Sequence, residues 1–442
     1  MSAIMVGVVS LVVLMILIFA GVHIISALMV MSVVGIFLVS DGNLGTAINI
    51  LGTTAYGAMR DYTFGVIPLF VLMGLFASLS GASKDLFDAA DATLRRVKGG
   101  LSIATVAANA VFAAITGVSV ASAAVFTKIA LPPMQRLGYD RKFAVGTIAG
   151  SSVLGMLIPP STLMIIYGML AEVAIGSMFV AGVVPGIVLA VIYCIGISVL
   201  VRMKPELISK ERAAGTDDLS GKERWKVILR PWPMFLLIIV TLGGIWGGFF
   251  TPTEAGGIGA FGAFLMALCK RKITWKSLWN TLLEAGMTTG SIIMLMIAGS
   301  MYSKMLAMTG VITKLGKLII GSGLSDMLIM ALFMVIIIAL GCILDSTSIM
   351  LLCMPLMVPV VRAFGLDPVW FGIVAIVATE TGFITPPFGL CVFTVKASLE
   401  KGSGLEDMTV GDIFHGSFPF LIMMFLFLIL IIAFPQIVLC LL

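Results

Sequence analysis

The sequence predicts an all-α polytopic membrane protein built as an inverted repeat, with about ten transmembrane helices and two re-entrant helical hairpins. Three observations carry this. Of 442 residues, 60% are hydrophobic and 11% charged, and the mean hydropathy is +1.17. A soluble domain of that size lacks the polar surface to cover so much apolar area. Helix-interrupting residues recur at a fixed separation: Ser119, Pro132, Gly138, Asp140, Gly155, Pro159 and Pro160 return 227 positions later as Ser346, Pro359, Gly365, Asp367, Gly382, Pro386 and Pro387. The basic residues, finally, fall in alternate loops.

Taken in order, apolar runs long enough to span, about 20 residues each, fall near 4–20, 22–40, 63–80, 143–168, 178–201, 231–249, 255–269, 284–303, 370–396 and 414–435. The first five, moved by 227, land on or near the last five. The chain therefore divides into a first repeat, 1–201, a charged linker, 202–230, and a second repeat, 231–442. The N-terminal run has no basic leader and no small-residue cleavage site, and reads as a retained helix. Two further apolar regions, about 100–134 and 327–361, are interrupted by Thr116-Gly117-Val118-Ser119 and by Gly341 through Ser348. Two crossings and a turn need roughly 45 residues, so each region reads as a hairpin that enters partway and returns. Its polar tip is tolerated at membrane depth only when buried in protein or lining a cavity.

Five crossings per half is an odd number, so the second half must be inserted upside down. Charge agrees with this. Segments 84–98, 136–142, 202–230, 270–276 and 396–412, all predicted on the cytoplasmic side, hold 21 Lys and Arg. The predicted outer segments hold five, Arg60, Lys304, Lys314, Lys317 and Arg362. Such a split follows the positive-inside rule and leaves both termini outside. Segment 84–98 reads as an amphipathic helix on the cytoplasmic interface, with its mate near 311–325 on the opposite face.

The interruptions carry the chemistry. A double proline removes two backbone donors and clashes with the preceding turn. Carbonyls around 155–158 and 382–385 then lose their helical partners and become suitable ligands for a hard monovalent cation such as Na⁺. One such motif reads most simply as a packing kink. Two at matching positions, each paired with a broken hairpin, point to a binding site. The tips, Thr116, Gly117 and Ser119 in one and Asp345, Ser346, Thr347 and Ser348 in the other, offer hydroxyls. Inward-pointing half-helix N-termini add unpaired N–H groups that can receive a carboxylate. The alternative is that these hydroxyls bond back to their own helices. Asp345 and Glu380 are acidic residues in apolar sequence whose repeat mates are Val118 and Val153. Either could tune an ion site, bind substrate hydroxyls or take up a proton, and Glu380 could equally be a structural hydrogen-bond partner.

Other classes are disfavoured. Six scattered cysteines form no Cys-x-x-Cys pair, and only His23 and His415 are available for a histidine metal centre. The stretch from Gly310 to Gly316-Lys317 has the wrong spacing for a phosphate loop, and Leu318 stands where a hydroxyl is required. No nucleophile–base or metal-hydrolase motif is present, so the chain reads as a non-enzyme. Its net charge of +5 reports membrane orientation, not nucleic-acid binding.

Several motifs together resemble a known family. Gly138-Tyr139-Asp140, Ser151-Ser152, Ile158-Pro159-Pro160-Ser161, Ile165-Ile166-Tyr167-Gly168, Phe179-Val180-Ala181-Gly182 and Pro185-Gly186 are similar to the large membrane subunit of tripartite ATP-independent periplasmic (TRAP) transporters. So are Phe250-Thr251-Pro252-Thr253-Glu254-Ala255 and Ile384-Thr385-Pro386-Pro387-Phe388-Gly389. The resemblance covers essentially the whole chain. It implies an elevator-type, Na⁺-coupled carrier of organic acid anions in the inner membrane. It also implies a periplasmic substrate-binding protein and a separate small four-helix membrane subunit as partners. By motif position it implies one sodium site from Ala113 and Thr116 with Gly155, Ile158 and Pro160. A second would come from the Gly341–Asp345 region with Gly382, Thr385 and Pro387. The chain departs from the commoner pattern at Thr379, at Thr381 and in its first hairpin tip. A stand-alone Na⁺/anion symporter, an intramembrane enzyme and a channel are the competing classes.

Overall fold

The computed structural model describes residues 2–94, 96–208, 221–321, 323–399, 405 and 407–442. The middle of the expected linker, 209–220, and Arg95 of the expected interfacial helix lie outside the described residues. Within them the chain is helical, with no strand. The first half runs α1 (Ala3–Phe19), α2 (Ile24–Val39), α3 (Leu44–Arg60), α4 (Val66–Leu79), α5 (Ala82–Leu94), α6 (Gly100–Thr116) and α7 (Ser119–Arg136). It continues with α8 (Arg141–Ser152), α9 (Leu154–Leu157), α10 (Thr162–Leu170) and α11 (Ile175–Met203). After α12 (Gly221–Leu229) come α13 (Trp232–Trp246), α14 (Pro252–Cys269), α15 (Trp275–Thr309), α16 (Val311–Ile320) and α17 (Asp326–Gly341). The chain closes with α18 (Ser346–Ala363), α19 (Pro368–Gly382), α20 (Leu390–Ser398), α21 (Val410–Ala433) and α22 (Gln436–Leu439).

Seven helical stretches among the described residues are long and apolar enough to cross a membrane, and α8–α9 with α10, bent by 42° at the double proline, makes an eighth. Five shorter apolar helices, α1, α2, α6, α17 and α19, complete the set. This is an all-α polytopic membrane protein. One helix was not expected. In α3, Gly45, Thr46, Asn49, Gly52, Thr53, Thr54 and Gly57 interleave with the apolar residues, so no apolar run is long enough to read as a span. Its counterpart in the second half is the start of α15, a single helix of 35 residues. At 1.5 Å per residue that is about 53 Å, well beyond the 284–303 core that hydropathy picks out.

The 227-residue offset holds element by element. Helix α18 begins and ends at the residues that α7 reaches after the shift, and α16, α17, α19, α20 and α21 overlap the shifted α5, α6, α8–α9, α10 and α11. Packing between the halves is reciprocal. Helix α4 packs on α14 while its counterpart α15 packs on α2, the counterpart of α14. Likewise α8 packs on α21 and α19 on α11, and α10 packs on α18 and α20 on α7. When element i of one copy meets element j of the other and j meets i in return, the copies are related by a two-fold operation.

Both interrupted regions form helix pairs. Helices α6 and α7 pack together across Gly117-Val118, and α17 and α18 pack together across Cys342–Asp345. Helix α5, the expected interfacial helix, packs against α6, and Lys270 pairs with its Asp85.

Helices α8 and α21 cross closely, and a Cβ added at Gly146 would run into the backbone of Gly416 and Ser417. A larger residue there must push two backbones apart, and overpacking costs about 1–3 kcal/mol or more. Gly146→Leu is therefore expected to lower the thermal midpoint of the detergent-purified protein by several degrees. Unchanged melting would contradict this crossing.

Candidate functional site

At the first tip, α6 ends at Gly117, whose φ of +61° is the left-handed conformation that glycine adopts without strain. The Gly117 N–H bonds the Ala113 carbonyl at 3.0 Å. Val118 is extended and supplies no side-chain cap to α7. At the first break, α9 stops at Ile158, which is extended, as a residue before proline should be. The Pro159–Pro160 bond is cis. The Ser161 hydroxyl then caps α10, accepting from Leu163 N at 3.2 Å and Met164 N at 3.5 Å. Tip and break are tied together: Thr162 donates to the Gly117 carbonyl from its N–H at 3.4 Å and from Oγ1 at 3.0 Å. The approach depends on missing side chains. A Cβ at Gly117 would lie 2.6 Å from the Pro160 oxygen, and one at Gly155 would lie 2.8 Å from Ser119 N and Cα.

The second tip and break meet differently. Gly382 faces the end of the incoming arm, where a Cβ would lie 2.6 Å from Gly341 Cα and 2.9 Å from the Ile338 oxygen. Thr385 N donates to the Gly382 carbonyl at 3.0 Å, and Thr385 Oγ1 donates to the Thr381 carbonyl at 2.6 Å. Pro386–Pro387 is cis, as in the first half. Asp345 caps α18, accepting from Ser348 N at 3.1 Å and from the Ser348 hydroxyl. Pro159, Pro160 and Ser161 are buried, whereas Pro386, Pro387 and Phe388 are exposed. The sequence motif is symmetric here, but its surroundings are not.

The structure gathers Ala113, Thr116, Gly117, Ser119, Gly155, Ile158 and Pro160 around one contact, and Gly341, Gly382 and Thr385 around the other. Asp345, Ser346, Thr347 and Ser348 lie at the second tip, with Ser346 and Ser348 buried, Thr347 half-buried and Asp345 exposed. The hydroxyl hydrogens are largely committed. Thr116 Oγ1 donates to the Phe112 carbonyl at 3.0 Å, and Ser119 Oγ donates to Glu380 Oε2 at 2.6 Å. A hydroxyl that has donated inward presents only lone pairs outward. Such oxygens, with the carbonyls at the breaks, suit a cation. A carboxylate needs donors instead, and the first-turn N–H groups of α7, without a side-chain cap, offer them better than those of α18, where Asp345 already intervenes.

Some features escaped the sequence reading. The Ser119–Glu380 bond joins the two halves across 261 positions, a separation no local pattern reveals. Asn109 Nδ2 donates to Ser151 Oγ at 2.9 Å while its Oδ1 is buried without a partner. The signal for this was an amide inside the apolar arm of the first hairpin. A cavity of about 910 Å³ lies between the 61–66, 168–176 and 250–253 segments and α15, with Asp61, Glu172 and Lys304 in its wall. It contains neither hairpin tip. The Thr251-Pro252-Thr253-Glu254 motif beside it has a structural reason. Thr251 and Glu254 form a capping box on α14, with Thr251 N donating to Glu254 Oε2 at 2.8 Å.

Paired helical hairpins against paired broken helices, in a two-fold all-α bundle, define the class as polytopic membrane protein. The comparisons narrow it. The profile of the family described as "Tripartite ATP-independent periplasmic transporter, DctM component" matches residues 11–437, and the chain belongs to this family of large TRAP permease subunits. It is 31% identical over 392 residues to the C4-dicarboxylate TRAP transporter large permease protein of Pseudomonas aeruginosa, covering 88% of each chain. It is 28% identical to the sialic acid large permease protein of Vibrio cholerae, again covering 88% of each. To the 2,3-diketo-L-gulonate large permease protein of Escherichia coli it is 27% identical, covering 88% of this chain and 89% of the relative. Among solved structures it shares its fold with the YdaH transporter of Alcanivorax borkumensis, with a TM-score of 0.62, 14% identity, and coverage of 88% and 89%.

Thr385→Ala removes an oxygen at the second break without disturbing the backbone. In a Na⁺-coupled carrier this change is expected to weaken the apparent Na⁺ affinity of uptake about tenfold, or about 1.4 kcal/mol, with membrane insertion intact. Gly155→Leu is expected to do so more severely. Sodium titrations of uptake that stay unchanged in both variants would remove these residues from the site.

Proposed function

We propose that this chain is the permease of a TRAP system that imports an organic acid anion with Na⁺ across the inner membrane. A periplasmic protein delivers the anion, and a small four-helix membrane subunit is bound alongside. The observation that carries the reading is the convergence of two hairpin tips on two proline breaks, where hydroxyl and carbonyl oxygens present lone pairs and α7 presents uncapped N–H groups. Oxygens of that kind dehydrate Na⁺ at modest cost, and the helix N-terminus receives the carboxylate. Each half contributes one cradle, and the two halves are inverted in the membrane, with both termini on the periplasmic side. The odd number of crossings per half and the 21-to-5 division of basic residues support that orientation.

Coupling follows if the cradles bind cation and anion together and the unit formed by α6–α10 and α17–α20 moves as one body against the rest. The cavity walled by Tyr62, Phe250, Thr251 and the 168–176 turn lies where such a body meets its surroundings, and an elevator movement would change its size. Substrate choice then rests largely with the delivering protein. This accords with relatives named for dicarboxylates, sialic acid and diketogulonate.

The test is uptake into proteoliposomes that hold the permease and its small subunit, with the cognate delivering protein outside. An inward Na⁺ gradient is expected to drive accumulation of a labelled organic acid. An equal K⁺ gradient is expected to leave uptake at background. Accumulation without Na⁺, or without the delivering protein, would contradict the reading.

A further inference from the structure

Among the described residues, Glu380 is the one acidic side chain that the fold buries, and it lies between the two cradles. It is 1% exposed. Oε2 accepts from Ser119 at 2.6 Å, and Oε1 has no partner. No ion pair among the described residues reaches it. The groups packed near it are neutral: Tyr193 and Cys391 lie within range of its charge, and the Tyr193 hydroxyl is itself buried without a partner. An ionised carboxylate in such surroundings is strongly destabilised unless a positive charge comes close.

Its position decides which positive charge that is. On its own helix Glu380 stands two residues before Gly382, the glycine of the second cradle. Through its hydrogen bond it reaches Ser119, whose backbone is what Gly155 packs against in the first cradle. Its repeat mate is Val153, so the first half has no equivalent carboxylate. We propose that Glu380 is the shared counter-charge of the two cation cradles. Its negative charge raises Na⁺ affinity at both, and Na⁺ binding in turn neutralises it. This rests on the sodium reading given above. Charge acts through space in a medium of low dielectric, so Glu380 need not touch either ion. It is a positioning and electrostatic residue, and Ser119 fixes where its charge sits.

The test reads Na⁺ binding without transport. The detergent-purified chain is titrated with NaCl at constant ionic strength, with choline as the replacement cation, and its thermal midpoint is followed. The wild type is expected to be stabilised by Na⁺ in a saturable way. Glu380→Gln keeps an acceptor for Ser119 and removes the charge, and is expected to raise the half-saturating Na⁺ concentration at least tenfold. Glu380→Asp retains the charge and is expected to stay within about threefold of wild type. Glu380→Gln titrating like the wild type would overturn the proposal. So would Glu380→Asp losing as much affinity as Glu380→Gln, since the shape of the side chain and not its charge would then be what matters. A wild type indifferent to Na⁺ would overturn the sodium reading itself, and this inference with it.

Discussion

A helix broken inside hydrocarbon leaves carbonyl and N–H groups that no solvent can satisfy, and the whole molecule is organised around where those groups go. At the first break the answer is a hairpin tip close enough for Thr162 to bond the Gly117 carbonyl. At the second it is a turn closed by Thr385 on Gly382 and packed on Gly341. Both solutions need backbone against backbone, and both therefore need glycine at the contact. Several hydroxyls beside these contacts, at Thr116, Ser119 and Thr385, have already donated their hydrogens within the protein.

The reciprocal packing of the halves gives that arrangement its support. Broken helix α8 rests on α21 from the other half, and α19 rests on α11. Each break is packed by the hairpin of its own half, and the opposite half buttresses the helix that leads into it. Exchange of equivalent contacts also brings one carboxylate, Glu380, onto the opposite hairpin at Ser119. The two tip-and-break contacts are consequently linked through one buried hydrogen bond.

Much of this was legible in the sequence because it depended on residues that break helices. The double prolines, Gly155, Gly382 and the interrupted runs near 117 and 342 announced themselves by type and by their common spacing. Helix α3 did not, because Gly, Thr and Asn recur every few residues along it and no apolar run forms. The inequality of the two tips was also hidden. The α7 helix starts without a side-chain cap, whereas Asp345 caps α18. The sequence marked the difference only as Val118 against Asp345, and whether the aspartate met a ligand or its own helix depended on rotamer and burial. The partner of Glu380 lay 261 positions away, beyond the reach of any periodicity argument.

The two-fold relation of the halves gives the most direct test, because the inversion proposed for them would place equivalent positions on opposite faces of the membrane. Gly45 and Lys272 are exposed and 227 residues apart. With the exposed Cys269 and Cys440 replaced by serine, single cysteines at these two positions can be probed with an impermeant thiol reagent applied to intact cells. Gly45→Cys is expected to label from outside, and Lys272→Cys only after the membrane is opened. Labelling of both from the same side would contradict the account.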